Sequence, residues 1–422
     1  MAKKVVKKSG ELPDPFEMMK SFDDQVEVLA DSEHSKIKEW ISTGWAVLNC
    51  CISGSMFKGI PSNKVVTLCG DSGTGKTYIA CSIARNAQKM GKTILYLDSE
   101  GSMDPDFISR LGLDPKRVII RQVGTVLEAT QVLVNLCDQL KKQEEEYGKH
   151  NEFYVILDSI SNLSSNKEKD DAMSGENKRD MTRQQQIKGF YRAVVSDMSY
   201  LNVGMTVVAH VYQSMSMFAT NASIAGGSGV VYAASVILDL FAAKLQDKEN
   251  DAAAAKSAGS DDLVRTGVQI TAKPRKSRFT KCLKVRVNVP YFKAPNFLYG
   301  IEQFVNWDNA GVCRGTMIDE KEYNKMSENE QSKVHVWEFN GEKKYAIDKD
   351  TARTLVVKHL GGTVPIKDFF SDQIWTEDVL RELDEKTMRP TFELPSIDEL
   401  SKIDEIDEML AEEGLESAEI VE

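Results

Sequence analysis

Short apolar runs alternate with amphipathic stretches along most of the chain. The apolar runs predict strands at 64–69, 93–98, 153–158, 203–210, 236–241 and 283–289. Apolar residues at helical spacing predict helices over 78–90 and from Thr125 onward, and Thr125 with Glu128 has the spacing of a capping box. Strands that alternate with helices predict an α/β fold, in which helices cover a mostly parallel, twisted sheet.

Three stretches interrupt this alternation. Residues 163–183 are highly charged, residues 211–229 are polar and glycine-rich at their end, and residues 244–267 carry an alanine run among charges. The last stretch predicts a solvated insertion or a disordered hairpin. Loops of this length inside a compact domain are usually functional or disordered.

The two ends of the chain differ from its middle. An apolar patch at 16–22, with Phe16, Met19 and Phe22 at helical spacing, stands out in an otherwise polar N-terminus. Beyond Pro295 the pattern changes and predicts a mixed helical segment. We therefore predict an N-terminal docking segment (1–38), an α/β core (39–295), a small C-terminal domain (296–390) and a tail (391–422).

Composition narrows the class of protein. With 41% hydrophobic residues among 422, the chain can bury a sizeable core. No apolar run is long enough to span a bilayer, and the basic N-terminus lacks a secretory apolar segment, so we expect a cytoplasmic protein without membrane contact. The seven cysteines form no C-x-x-C pair, which argues against a disulfide framework and against a zinc site.

The net charge of −11 is concentrated in the tail. Residues 391–422 contain twelve acidic residues and one basic residue, so they account for the whole net charge. The rest of the chain is neutral overall, which leaves room for basic patches that could bind nucleic acid. A block of like charge at a terminus is usually a solvated tail.

A phosphate-binding motif lies between the first predicted strand and the helix that follows it. Residues Gly70, Asp71, Ser72, Gly73, Thr74, Gly75, Lys76 and Thr77 fit G-x-x-x-x-G-K-[ST], and we include Tyr78 directly after them. Backbone N–H groups of such a loop surround phosphates, Lys76 would reach the β- and γ-phosphates, and Thr77 would bind Mg²⁺. The motif predicts ATP and Mg²⁺ as ligands; a plain strand–turn–helix junction is the alternative.

Two acidic residues follow later strands. Asp158 ends an apolar strand, which is the Walker B pattern of a carboxylate near the metal. Glu100 follows another strand end and could act as general base on the attacking water. Taken alone, either residue could equally be an ordinary strand-end carboxylate.

Six ordered motifs resemble the RecA family of recombinases between about residues 39 and 295. They are Ser42-Thr43-Gly44 with Gly59-Ile60-Pro61, the P-loop, Asp98-Ser99-Glu100 with Asp104-Pro105 and Phe107, Leu111-Gly112-Leu113-Asp114, Asp158-Ser159, and Gly226-Gly227 with Tyr232-Ala233 and Asp239. Two further segments, 180–183 and 209–218, resemble the UvsX branch of that family from T-even-like bacteriophages. The insertion at 244–267 has no counterpart that we can place, and the segment beyond Pro295 matches only loosely.

The resemblance implies roles for individual residues. Glu100 would be the catalytic base, and Asp104 and Phe107 would hold the adenine. His210 stands where relatives have the residue that senses the γ-phosphate. Lys276 and Arg278 resemble the cations that a neighbouring subunit places against ATP.

The resemblance also makes 163–183 and 211–229 the two DNA-binding loops. The implied contacts are Lys178, Arg179, Arg183 and Lys188 around the first loop, and Tyr212, Met217, Phe218, Gly226 and Gly227 in the second. Cations would hold phosphates and apolar groups would meet bases. A solvated face for the charged residues, and anchoring to the core for the apolar ones, are the alternatives.

The implied function is ATP-dependent DNA recombination. Such a protein forms a helical filament on single-stranded DNA, pairs it with homologous double-stranded DNA and exchanges strands, with help from phage or host single-strand-binding and mediator proteins. Two other classes fit a P-loop core: a hexameric helicase of the RecA fold, and a non-catalytic protein that uses ATP only to assemble. The sequence shows neither a large N-terminal primase-binding domain nor an obvious arginine finger, and Glu100 disfavours a non-catalytic protein.

Overall fold

A computed structural model describes residues 14–22, 28, 32, 36–101, 103–169, 182–212, 223–246, 265–290 and 294–395. The strands are β1 (Trp40–Ile41), β2 (Ile60–Pro61), β3 (Val65–Gly70), β4 (Thr93–Asp98), β5 (Val118–Gln122), β6 (Phe153–Asp158), β7 (Met205–Ala209), β8 (Val211–Tyr212), β9 (Ser223–Ile224), β10 (Val236–Gln246), β11 (Arg265–Ser277), β12 (Val285–Pro290), β13 (Val312–Ile318), β14 (Val334–Phe339), β15 (Glu342–Asp348), β16 (Thr354–Val357) and β17 (Gly362–Pro365). The helices are α1 (Pro15–Lys20), α2 (Ala46–Ser53), α3 (Lys76–Lys89), α4 (Pro105–Arg110), α5 (Val126–Tyr147), α6 (Thr182–Tyr200), α7 (Ser228–Ala233), α8 (Trp307–Ala310), α9 (Glu320–Tyr323), α10 (Glu328–Gln331), α11 (Glu377–Leu383) and α12 (Arg389–Phe392). A π-helical turn at Asp384–Met388 joins the last two helices.

The central sheet has eight strands in the order β12-β11-β10-β3-β7-β6-β4-β5. The six strands from β10 to β5 are parallel, and β11 and β12 are antiparallel additions at one edge. The predicted α/β class with a mostly parallel sheet is confirmed. The carboxyl ends of β3, β4, β6 and β7 lie at the same edge of the sheet, where α/β proteins bind ligands.

Helices cover both faces of this sheet. On one face α2 and α3 pack into a core with the sheet, and on the other face α5, α6 and α7 form a second apolar cluster. The interior strands are therefore buried on both sides, which explains their continuous apolar sequences. The predicted cap of α5 is present: the Thr125 side chain accepts from the Glu128 N–H, and Glu128 accepts from the Gly124 N–H.

The insertion at 244–267 lies within an antiparallel hairpin. Strands β10 and β11 pair on either side of it, from Val236 opposite Ser277 to Gln246 opposite Arg265. Residues 247–264 lie outside the described part of the chain. The base of this hairpin is thus a regular pair of strands.

The prediction of a mixed helical segment beyond Pro295 is wrong. The chain there forms a five-stranded antiparallel sheet in the order β14-β15-β13-β16-β17, accompanied by short helices. The sheet packs on both faces, with Leu355 and Val357 in the central core and Val356 in a small cluster around Trp337, and burial alternates along the strand only over short stretches, as in β17. Asn340 and Gly341, both with positive φ, turn the chain between β14 and β15, and Asn-Gly is a strong hairpin signal.

The C-terminal segment returns to the central core after this sheet. Trp375, Leu383 and Phe392 are buried in the same cluster as α2 and α3. The buried Asp384 carboxylate accepts from the Ser55 hydroxyl at 2.8 Å and from the Met56 N–H at 2.6 Å. The described chain thus continues to Pro395, and residues 396–422, which hold most of the acidic tail, lie outside it.

The apolar patch at 16–22 forms the helix α1 and its end. Asp14 caps this helix and Pro15 begins it, as expected for a helix N-terminus. Phe16 is 51% exposed and Phe22 is 76% exposed, and α1 buries no residue against the described chain. Large apolar side chains exposed together in this way suit contact with another molecule.

Within the described ranges, every helix is too short or too polar to span a bilayer.

Candidate functional site

The P-loop connects the end of β3 to the start of α3. Gly73 and Gly75 have φ values of +76° and +78°, in the left-handed region that favours glycine. A Cβ at Gly75 would lie 2.7 Å from the Ile270 side chain, so this position excludes a larger residue. The helix begins at Lys76, and its free N–H groups point into the turn that the loop encloses.

Lys76 is folded back into this loop. Its Nζ atom donates to the carbonyl oxygens of Gly70 at 3.0 Å and Asp71 at 2.7 Å. Burial lowers the pKa of Lys76, while the nearby carboxylates of Asp158 and Glu100 oppose that effect. The ammonium group is therefore held at the mouth of the loop.

A hydroxyl and a carboxylate lie beside Lys76. The Thr77 hydroxyl donates to Asp158 Oδ2 at 2.7 Å, and the Tyr96 hydroxyl donates to the same oxygen at 2.7 Å. The other oxygen, Asp158 Oδ1, is buried and has no hydrogen-bond partner among the described residues. The Thr77 hydroxyl and the Asp158 carboxylate, with its one unpaired oxygen, fit Mg²⁺ and its water ligands. Burial raises the pKa of Asp158, and the two hydroxyl donors counteract this.

Glu100 and His210 face each other across the cleft. His210 Nε2 lies 3.3 Å from Glu100 Oε1, and both side chains are partly exposed. Asp98 Oδ1, at the end of β4, accepts from the backbone N–H groups of Glu100 and Gly101. The Asp98 carboxylate therefore positions Glu100. His210 is fixed through its backbone, which donates to the Ser161 hydroxyl at 2.7 Å.

These groups line one cleft of about 230 Å³. Its walls are Ser72, Gly73, Gly75, Lys76, Thr77, Tyr78, Glu100, Asp158, Val208 and His210. N–H donors and an ammonium group suit a polyphosphate, the Thr77–Asp158 pair suits its metal, and a carboxylate on the opposite wall suits a water molecule.

Comparison with known proteins decides the family. The family model of the RecA N-terminal domain matches residues 17–275. The chain belongs to the RecA family. It is also similar to the "Recombination and repair protein" of Enterobacteria phage T4, with 26% identity over 221 residues that cover 52% of this chain and 54% of the relative. The chain thus spans about half the length of this curated relative. Membership in the RecA family implies a nucleotide-binding protein.

Two residues that the RecA resemblance assigns to adenine lie away from the cleft wall. Asp104 caps α4 by accepting from the Asp106 N–H at 3.1 Å. Phe107, on the same helix, is half-buried against the central core. Neither lines the cleft, so their contact with adenine stays a prediction.

The two cations assigned to a neighbouring RecA subunit are near the opposite end of the sheet. Lys276 on β11 pairs with Ile237 on β10, and Ile237 pairs with Thr67 in the first half of β3. The P-loop, by contrast, follows the other end of β3. The Lys276 ammonium donates to the Val231 carbonyl oxygen at 2.7 Å, and Arg278 is exposed beyond it. Neither residue lines the cleft of its own chain, so a contact with ATP would need a second copy.

The first assigned DNA loop is described only at its ends. Lys178 and Arg179 lie outside the described residues. The Arg183 guanidinium donates to the carbonyl oxygens of Ile160 and Ser161, which follow β6. Lys188 is exposed on α6. Arg183 is therefore joined to the turn that also holds the His210 backbone.

The second assigned DNA loop leaves the sheet at His210. Tyr212 lies on the β8–β9 ribbon and is 56% exposed, while Met217 and Phe218 lie outside the described residues. Gly226 and Gly227 have φ values of +95° and +66° and lead into α7, so consecutive left-handed residues explain the glycine pair. The Ala225 N–H donates to the His210 carbonyl oxygen at 2.9 Å.

The sequence motifs assigned no role to three residues that hold the site together. Tyr96 supports Asp158, and Ser161 supports His210. Ser99 exchanges hydrogen bonds with the backbone of Ser159 at 2.7 and 2.8 Å, which ties the ends of β4 and β6. The polar hydroxyl of Tyr96 inside an otherwise apolar strand was the available signal.

We expect Tyr96→Phe to raise the Mg²⁺ concentration needed for half-maximal ATP turnover by roughly tenfold. The reason is that a hydrogen bond to a charged group contributes about 1.5–3 kcal/mol. The lost donor normally lowers the pKa of Asp158, so this pKa rises further and activity on the acid side declines at a higher pH than in the wild type. Mg²⁺ titrations of ATPase activity over a pH series measure both effects.

Tyr154→Phe is the matched control for this variant. Tyr154 is also buried, on the adjacent strand β6, but its hydroxyl bonds to Thr206 at 2.8 Å. Equal Mg²⁺ dependence in both variants would show that the Tyr96 hydroxyl does not support a metal ligand.

Proposed function

We propose that this chain is an ATP-dependent recombinase that assembles on single-stranded DNA and exchanges strands with a homologous duplex. The observation that carries the proposal is the convergence of the P-loop, the Thr77–Asp158 pair and Glu100 on one cleft, with His210 joining that cleft to the second assigned DNA loop. Membership in the RecA family and similarity to a phage recombination and repair protein support it.

In this proposal the cleft binds ATP through the N–H groups of the P-loop and Lys76. Thr77 and Asp158 hold Mg²⁺, which when bound neutralises charge on the phosphate oxygens. Glu100 orients a water molecule and accepts its proton as the oxygen attacks the γ-phosphorus, while the bond to the β–γ bridging oxygen breaks and ADP leaves. Asp98 keeps Glu100 in place through the two backbone N–H groups that it binds.

The contacts of His210 suggest how the nucleotide controls DNA binding. Its ring pairs with Glu100, its backbone N–H bonds to Ser161 and its carbonyl bonds to Ala225. A γ-phosphate in the cleft competes with Glu100 for the imidazole of His210. The resulting movement of His210 is passed to both ends of the second loop. Arg183, bonded to the Ser161 carbonyl, extends the same connection to the first loop. Such a loop can switch between order and disorder with the nucleotide state.

In the assembled protein the two loops would contact single-stranded DNA. The first loop and α6 contribute Lys178, Arg179, Arg183 and Lys188, and the second contributes Tyr212, Met217, Phe218, Gly226 and Gly227. A neighbouring copy would supply Lys276 and Arg278 to each ATP. Single-strand-binding and mediator proteins of the phage or its host would assist in the bacterial cytoplasm.

Negative-stain imaging of the full chain with ATP and single-stranded DNA tests this proposal. We expect helical filaments that require both ligands. Closed rings would instead indicate a hexameric helicase. Filaments from a protein that does not hydrolyse ATP in a solution assay would indicate a non-catalytic assembly protein.

Deletion of residues 1–30 is expected to abolish filament formation and leave a folded, largely monomeric protein. The reason is that α1 exposes Phe16 and Met19, and the turn after it exposes Phe22, without burial against the described part of the chain. Sedimentation and imaging measure the assembly, and circular dichroism checks the fold. Filaments of the truncated chain at the normal protein concentration would remove the assembly role of this segment.

Removal of residues 396–422 is expected to strengthen binding to duplex DNA, most clearly at low salt. A tethered polyanion competes with DNA for a cationic groove, and salt screens that competition. The truncation begins at 396 because Phe392 is buried and packs against Phe304, with the ring centroids 5.4 Å apart. Duplex affinity measured over a salt series decides the point, and superimposable curves for the two chains would show a tail that only confers solubility.

A further inference from the structure

Three potential metal ligands meet in the C-terminal sheet, far from the nucleotide cleft. Cys313 lies on β13, His335 on β14 and Asp348 at the end of β15, and these strands are neighbours in the order β14-β15-β13. Their ligand atoms all lie within 4.8 Å of one another. Because the three residues are distant in sequence, cysteine spacing alone argued against a zinc site and could not detect this cluster.

The surrounding residues hold the cluster in place. The Trp307 ring stacks on the His335 ring, with centroids 4.6 Å apart and an interplanar angle of 19°. Cys313 is buried in a small apolar cluster with Trp337. His335 Nε2 lies 3.0 Å from Asp348 Oδ1, so the polar groups pair with one another.

One side of the cluster opens to a cleft. Cys313 and Asp348 line a cavity of about 640 Å³ between the C-terminal sheet and the central core, which contributes Asn288 from β12. A metal ion held by the three side chains would therefore have a coordination position accessible to water or to a small ligand.

We infer that Cys313, His335 and Asp348 form a binding site for Zn²⁺. Sulfur, nitrogen and oxygen donors together suit this ion, whereas Mg²⁺ and Ca²⁺ prefer oxygen alone. With metal–ligand bonds of about 2.0–2.3 Å, tetrahedral donors lie roughly 3.3–3.8 Å apart. The His335–Asp348 distance of 3.0 Å would therefore widen slightly, and a distance near the 4.8 Å limit of the cluster would shorten. Zn²⁺ displaces the thiol proton of Cys313 and replaces the direct contact between His335 and Asp348.

The site has two consequences for the protein. It joins the β14–β15 hairpin to β13, so the ion stabilises the C-terminal sheet next to its contact with the core. The protein would also bind two different metals at two different sites. The C-terminal cluster selects Zn²⁺, whereas the nucleotide cleft offers the oxygen ligands of Thr77 and Asp158 to Mg²⁺. Neither consequence depends on the proposed recombinase activity.

Titration of the metal-stripped full chain with Co²⁺, a spectroscopic substitute for Zn²⁺, tests the inference. In excess Mg²⁺ we expect one equivalent to produce thiolate-to-cobalt charge-transfer absorption, which Zn²⁺ then removes. Cys313→Ser abolishes this band, whereas Cys282→Ser, which alters an exposed cysteine, leaves it unchanged. A band that survives Cys313→Ser, or the absence of saturable binding, overturns the site.

Two further variants keep the test informative if Cys313→Ser does not fold. His335→Gln and Asp348→Asn are each expected to weaken Co²⁺ binding by at least about tenfold, since even loss of an outer-sphere partner costs that much. Asp348 is exposed, so Asp348→Asn is compatible with the fold. Unchanged Co²⁺ affinity in both variants overturns the inference, and thermal unfolding with and without Zn²⁺ supplies an independent measure. Strand-exchange activity is not used, so failure of the proposed function would leave this result intact.

Discussion

Replacement of Glu100 by Gln is expected to lower DNA-stimulated ATP turnover by about 10²–10⁴-fold, the usual contribution of a general base. The amide has nearly the same shape, and it can still bond to His210, which lies 3.3 Å from the carboxylate. The backbone N–H bonds to Asp98 are unaffected by the change. Binding of ATP and of single-stranded DNA is therefore expected to persist, so turnover and affinity separate in this variant.

Glu146→Gln is the matched control, because Glu146 is exposed on α5 and does not line the cleft. Its turnover is expected to equal that of the wild type. Loss of ATP affinity in Glu100→Gln would make Glu100 a structural residue, and wild-type turnover would place the base elsewhere. Single-turnover hydrolysis and equilibrium nucleotide binding together distinguish these outcomes.

Lys76→Ala is expected to reduce turnover by at least about 10²–10³-fold, because removal of one preorganised donor to a developing negative charge has that effect. ATP affinity is also expected to fall, since the ammonium group contacts bound phosphates in a P-loop. The variant additionally releases the carbonyl oxygens of Gly70 and Asp71, which Lys76 now holds. Circular dichroism and thermal unfolding show whether the loss is confined to the site.

Lys89→Ala provides the control for this change, because Lys89 is exposed at the other end of the same helix. Hydrolysis in Lys76→Ala at the rate of Lys89→Ala would refute the assignment of the P-loop. Failure of both variants would instead point to general destabilisation of α3.

The sequence predicted the interior of the central sheet well because burial on both faces leaves an uninterrupted apolar run. Strands β4 and β6 match their predicted bounds. The edge strand β5 was not predicted, and its residues are mostly exposed. The C-terminal sheet was misjudged because its strands span only four to seven residues and some of them, such as β16, are buried on both faces. Neither a long apolar run nor a clear alternation was therefore available in the sequence.

Motif spacing predicted the parts of the site that are close in sequence, but not the contacts that connect them. The P-loop, Asp158, Glu100 and His210 do line one cleft. Tyr96 and Asp158 are 62 residues apart, and only the pairing of β4 with β6 brings them together. The same limit applies to the carbonyl contacts of Arg183 and to the Cys313 cluster, which depend on chain pairing rather than on a local pattern.

Strand exchange between a single-stranded DNA and a labelled homologous duplex tests the central claim most directly. The full chain, with ATP and Mg²⁺, is expected to transfer the labelled strand in a reaction that requires both nucleotide and homology. Lys76→Ala is expected to show no transfer under the same conditions. Release of the labelled strand from a heterologous duplex, or ATP hydrolysis without any transfer, would contradict the account.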